Sequence, residues 1–188
     1  MAIKTKQRST TNWKRKLTKQ EKNNCFKAYK KIKESKEAAK GVTSTQITSI
    51  LSSTRYFIGV YAQDQVSSIT ISAYPSYLIV NLDSRKLPGS HWIAVGVFAN
   101  KLEIFDPLGF DIFTWPHIPC ELLSFLLKFS VGRSVKVSKQ IQSSKSVLCG
   151  FFCIFYVLCR NVHRLSQLQK LFSNKLYKND KKLIQLFG

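Results

Sequence analysis

The sequence predicts an α+β fold, with strands in the middle of the chain and helices on either side of them. Three observations carry this expectation. Residues 77–82 and 91–98 are apolar, β-branched runs of strand length. Residues 101–105 return from the second run after the tight Ala99-Asn100 turn, which makes a hairpin. Residues 147–159 are thirteen in a row without a charge, shorter than the roughly 20 needed to cross a bilayer, so they are expected as a helix buried in a globular core. No repeat of fixed period is visible, and a chain of 188 residues, 44% hydrophobic, is large enough for one domain with a single core.

Along the chain, residues 1–44 are expected as a basic, largely disordered arm and residues 45–188 as the folded domain. Residues 1–41 hold 14 Lys and Arg against 3 Glu. The first part, with Lys4, Lys6, Arg8, Lys14, Arg15 and Lys16, has no periodicity. Residues 20–40 carry Phe26, Tyr29 and Ile32 at helical spacing among lysines and read as a nascent helix that firms up on a phosphate backbone. A short helix at 45–51 opens the domain. Helices are expected at 120–129, 149–163 and 165–176, with a last helical turn at 182–187 and an extended stretch at 135–142.

The net charge of +20, from 30 Lys and Arg against 10 Asp and Glu, points to a polyanionic partner, nucleic acid before an anionic membrane surface. Five cysteines are an odd number, and Cys149, Cys153 and Cys159 crowd one apolar segment, a poor layout for a disulfide framework. A reducing compartment follows, and the N-terminus lacks the pattern of a secretion signal. No zinc-type spacing of Cys and His is present, so no metal is expected. The absence of a phosphate-cradling Gly-x-x-x-x-Gly-Lys loop argues against nucleotide hydrolysis.

The chemistry-bearing residues fall in one order. Cys149 stands where the polar stretch 142–146 meets the apolar helix, so its sulfur is expected at the helix N-terminus, where unpaired N–H groups favour a thiolate. Gly150 would allow a substrate backbone to approach the helix start. His91 opens a strand behind Leu87-Pro88-Gly89-Ser90, which places its ring at a sheet edge. Asp106, in Phe105-Asp106-Pro107-Leu108-Gly109-Phe110, ends the strand that pairs back on it, so its carboxylate can orient the imidazole. Asp106-Pro107 is equally a good turn dipeptide. Gln142, seven residues before the cysteine, could aim its amide at the helix start and complete a two-donor oxyanion hole with the Cys149 N–H; Gln140 competes for that role on spacing alone. His117 and His163 have no acid at a useful spacing, and Cys153 and Cys159 read as core residues.

The order His91-Trp92, Phe105-Asp106-Pro107-Leu108-Gly109-Phe110, Gln142, Cys149-Gly150-Phe151-Phe152-Cys153 resembles the adenovirus protease (adenain) family over about residues 45–188. Tyr56-Phe57-Ile58-Gly59-Val60-Tyr61 with Asp64, and the Leu-rich stretch 168–179, extend the resemblance. It implies a papain-like or ubiquitin-like-protease-type fold: a central mixed sheet flanked by helices, with the nucleophile at the N-terminus of a buried helix. It also implies a cysteine endopeptidase that cuts viral precursor proteins after glycine during virion maturation, with His91 as general base, Asp106 as its orienter, Cys149 as nucleophile and Gln142 as oxyanion donor. No covalently bound cofactor is expected. DNA is implied as an activator, a short viral peptide as a second one, and a monomer without membrane attachment, working in the virion and host nucleus, as the working form.

The chain also departs from that family. Its acid is Asp where adenovirus enzymes have Glu, and its hairpin is shorter. Ser134 stands near where the family's enzymes carry the cysteine that links the activating peptide, and residues 1–44 have no counterpart. Two other readings compete: a SUMO-type or ubiquitin-like deconjugating protease, which usually carries Asp before the nucleophile where this chain has Leu148, and a non-enzymatic basic DNA-binding virion protein.

Overall fold

The computed structural model describes residues 18–34, with side chains to residue 30, and residues 41–187. Its centre is a five-stranded mixed sheet in the order β1-β2-β3-β4-β5: β1 Phe57–Ala62, β2 Ser76–Asn81, β3 Trp92–Val97, β4 Lys101–Phe105 and β5 Ser134–Val137. The inner pairs β2/β3 and β3/β4 are antiparallel and the outer pairs β1/β2 and β4/β5 are parallel. The β3–β4 hairpin closes as expected at Ala99-Asn100, with Val97 opposite Leu102 and the Phe98 N–H donating to the Lys101 carbonyl at 2.8 Å.

Alternation along the strands divides the apolar residues between two cores. Tyr77, Ile79, Ala94 and Phe105 face α4 Cys149–Arg160, while Leu78, Val80, Ile93, Val95 and Ile104 face α3 Cys120–Ser130. Every residue of α4 is buried, which explains a uniformly apolar sequence instead of a striped one. Around α4 lie α2 Ser44–Leu51, α5 Leu165–Gln169 and α6 Asn179–Phe187. A Thr43–Gln46 capping box starts α2. No described helix is long and apolar enough to cross a membrane.

Two expectations change. The first concerns the arm: residues 19–34 form α1 Lys19–Glu34, and this helix packs onto α6 within the folded body. Cys25 is fully buried in the α4 core, and Tyr29 meets Phe151 edge-on at 6.1 Å. Apolar residues at helical spacing found a protein surface, so no phosphate backbone is needed to hold the helix. Val42 is also buried, so packing extends upstream of residue 45. Residues 1–17 and 35–40, and the side chain of Ile32, lie outside the described residues. The second concerns the C-terminal helices. The helix expected over 165–176 stops at Gln169, where the chain tightens into turns, and beyond it the Asn179 side chain holds the backbone of Ser173, accepting from its N–H and donating to its carbonyl, both at 2.9 Å. Asn179 itself begins α6, three residues before the expected turn at 182.

One buried ionic cluster had no signal in the sequence. Glu103 of β4, 2% exposed, receives Arg160 of α4 on both oxygens, the Tyr156 hydroxyl at 3.0 Å and Lys101 at 2.7 Å. The cluster ties the end of α4 to the sheet.

Candidate active site

His91, Asp106, Gln142 and Cys149 come from four different segments and meet at one end of the sheet. His91 directly precedes β3, and its carbonyl accepts from the Leu82 N–H at 3.0 Å, which holds it to the end of β2. Its Nε2 lies 2.7 Å from Asp106 Oδ1. Cys149, first residue of α4, lines the same cleft as the imidazole and its sulfur acts electrostatically on the ring; with Nε2 taken by the carboxylate, Nδ1 is the nitrogen left to face it. Burial of the ring works against its positive charge, but the hydrogen bonds and negative charge of Asp106 and the Cys149 sulfur outweigh it, and the His91 pKa is pushed up to about 9.

Asp106 is completely buried, just past the end of β4. The turn after it wraps its carboxylate: the Leu108 N–H donates to Oδ1 at 2.8 Å and the Phe110 N–H to Oδ2 at 3.3 Å. Gly109 closes that turn at φ +71°, with its N–H on the Asp106 carbonyl at 3.0 Å, and a Cβ there would run into the Gln140 backbone nitrogen at 2.4 Å. The acid and the turn of the sequence reading are therefore one device. Ser138 holds Asp106 from the other side: its hydroxyl accepts the Asp106 N–H at 2.8 Å and donates to the Asp106 carbonyl at 2.6 Å. Nothing in the sequence marked Ser138, because a single serine 32 residues away carries no pattern.

Gln142 is buried and lines the same cleft, of about 400 Å³, as His91, Trp92, Leu108 and Cys149. Its Nε2 donates to the Ser146 carbonyl at 2.8 Å, which fixes the way the amide faces and leaves a second N–H. Gln140 is occupied differently, its Nε2 donating to the Gln142 carbonyl at 3.1 Å, and it does not line the cleft. The segment is zipped to the acid's turn, since the Pro107 carbonyl accepts from both the Ile141 N–H at 3.0 Å and the Gln142 N–H at 2.9 Å. No side chain caps α4, and Cys149 at its start lines the cleft.

Gly150 has a different reason from the one its position suggested. A Cβ on it would lie 2.2 Å from a Val42 methyl and 3.1 Å from the Trp92 ring. The close approach is made by the protein's own segment before α2. Trp92 fastens the same segment, its Nε1 donating to the Val42 carbonyl at 3.1 Å. On the opposite flank Phe110 meets His91 edge-on and stacks on Trp115 at 5.6 Å.

Among the described residues all five cysteines are free thiols, and no three His, Cys, Asp or Glu side chains gather as a metal would require. Burial pushes the thiols of Cys25, Cys153 and Cys159 up, as for core residues.

A thiol at the start of a buried helix and a histidine–carboxylate pair beside it are the groups that nucleophilic catalysis by sulfur requires. The chain belongs to the adenovirus endoprotease family, whose model matches residues 57–182. Among curated relatives it is 32% identical over 110 residues to the protease of bovine adenovirus 4, covering 54% of this chain and 53% of that one. It is 30% identical over 107 residues to the protease of ovine adenovirus D serotype 7, covering 52% and 53%. The matches thus span about half the length of these relatives. Among solved structures, an ASFV protease superposes with a TM-score of 0.47 at 16% identity, over 70% of this chain and 58% of the other.

Proposed function

We propose that this chain is a cysteine endopeptidase in which Cys149 is the nucleophile, His91 the acid–base group, Asp106 its orienter and Gln142 an oxyanion donor. The observation that carries the reading is the imidazole held between Asp106, at 2.7 Å, and the Cys149 sulfur at the helix start. A histidine kept protonated near neutral pH stabilises a thiolate beside it. That thiolate attacks the scissile carbonyl carbon, and the electron pair of the C=O moves onto oxygen. The second Gln142 N–H and the Cys149 backbone N–H are the donors available to the oxyanion. His91 then gives its proton to the leaving amine as the C–N bond breaks, leaving a thioester. Water, deprotonated by the now neutral imidazole, attacks the thioester and returns the sulfur as thiolate.

Family membership supports a viral protein as substrate; that this is a precursor cut after glycine, in the virion and host nucleus, is part of the proposal. The net charge of +20 supports DNA as a partner that holds a monomeric enzyme near its substrates. The deconjugating alternative shares an aspartate as its acid, as at Asp106, but Leu148 stands where that type usually carries Asp before the nucleophile. The test is to incubate the full chain and Cys149→Ala with fluorogenic peptides spanning Gly-Gly and Gly-Ala junctions and with a SUMO fusion. Each is run with and without DNA and with a candidate viral activating peptide. Turnover of the glycine-junction peptides that Cys149→Ala abolishes is the expected result. No turnover of any substrate, with no alkylation of Cys149 at neutral pH, overturns the reading; cleavage of the SUMO fusion alone replaces it with deconjugation.

A further inference from the structure

Gln142 sits in a segment with no regular secondary structure, and an oxyanion donor works only if it is held still. Two clamps hold this segment. One is the Pro107 carbonyl, described above. The other comes from the far end of the chain: Asn179, the first residue of α6, donates from Nδ2 to the Ile141 carbonyl at 2.8 Å. Asn179 is 1% exposed and all its side-chain polar atoms are bonded, Oδ1 and Nδ2 to the backbone of Ser173 and Nδ2 also to Ile141. Ile141 is itself buried and immediately precedes Gln142, so its peptide carbonyl and the Gln142 N–H belong to the same peptide plane. That plane is thus bonded on one side to Asn179 and on the other to Pro107.

We infer that Asn179 is a positioning residue for the oxyanion donor: by fixing the 141–142 peptide it holds still the backbone from which the Gln142 side chain reaches the Ser146 carbonyl and the cleft. It touches neither the reacting atoms nor the cleft, and it acts through Gln142 alone. The inference rests on the reading of Gln142 proposed above. It makes the C-terminal helix part of the catalytic geometry, although α6 contributes no residue to the cleft walls.

The test compares Asn179→Ala, Asn179→Asp, Gln142→Ala and the Asn179→Ala/Gln142→Ala double variant in the full chain. Asn179→Asp is isosteric and keeps the acceptor for the Ser173 N–H, but once ionised it has no donor for the carbonyls of Ile141 and Ser173. Removing an oxyanion donor costs about 10²–10³-fold in kcat, and loosening it is expected to cost roughly tenfold in kcat for both Asn179 variants, with KM within about twofold. The rate of Cys149 alkylation by iodoacetamide, which needs the thiolate but no oxyanion hole, is expected to stay within about twofold of wild type. The double variant is expected to be no slower than Gln142→Ala, because both changes remove one effect. Losses that multiply in the double variant, an unchanged kcat, or an alkylation rate that falls in step with kcat each overturn the inference. An active wild type whose Gln142→Ala variant keeps full kcat removes the premise and the inference together, and an inactive wild type overturns the function as well.

Discussion

At the scale of single residues, the site is a set of groups whose environments were made by their neighbours. Burial alone would favour a neutral His91 ring; with Asp106 and the Cys149 sulfur beside it, the ring carries its proton to about pH 9. Peptidase activity is therefore expected to fall on an alkaline limb near pH 9, measurable as kcat/KM against pH, and Asp106→Asn should move that limb down toward the ordinary value of 6.5 while cutting kcat by about 10²–10⁴-fold. The same group links stability to pH. Its folded-state pKa is raised, so its contribution is complete below about 6.5 and lost as pH rises toward 9. Urea midpoints should fall across that window in wild type and change less in His91→Ala. That His91, Asp106 and Cys149 would lie together was legible because a hairpin and a helix start are local features that place side chains predictably. Gln142 and Gln140 could not be separated by spacing, since a loop's side-chain directions depend on what holds each carbonyl and amide. Here the Ser146 carbonyl decides the direction of Gln142, and the Gln142 carbonyl engages Gln140.

At the scale of elements, one helix, α1, behaves differently from a reading of its composition. Lysine-rich α1 looked like a solvated or nucleic-acid-bound segment, yet Cys25 and Tyr29 place it against α4 and α6. Deleting residues 1–34 is accordingly expected to expose core surface and lower Tm, on the order of 10 °C by calorimetry, because losing a few kcal/mol moves a domain of this size by about that much. An unchanged Tm would show that α1 packs without contributing. For α4, the buried Glu103–Arg160 pair anchors its C-terminal end. Glu103→Ala strands the Arg160 charge and is expected to cost about 3–5 kcal/mol in chemical denaturation. Burial works against the Glu103 charge, but Arg160 and Lys101 hold its pKa below the ordinary 4.5. That stabilisation is present above pH 4.5 and lost as pH falls below it. At the other end, Gly150→Ala is expected to cost roughly 1–3 kcal/mol by pushing Val42 off the helix start.

At the scale of the whole molecule, net charge and fold are separable properties. The +20 charge acts through the summed field and needs no particular side-chain geometry. Binding of the full chain to duplex DNA, followed by fluorescence anisotropy, is expected to weaken steeply and log-linearly with salt. A salt-independent affinity would point to base-specific or apolar contacts instead. The sequence by itself determined the sheet-and-helix class, the hairpin, the buried helix and the order of its chemical groups, because these follow from periodicity, turn chemistry and composition over short stretches. Only the tertiary structure decided that α1 belongs to the body, that Gly150 makes room for Val42, and that Ser138, Pro107 and Asn179 hold the acid and the amide in place. Those contacts join residues 32 to more than 100 positions apart, and a single hydrogen bond or methyl contact between distant segments leaves no local pattern in a chain from which it could be read.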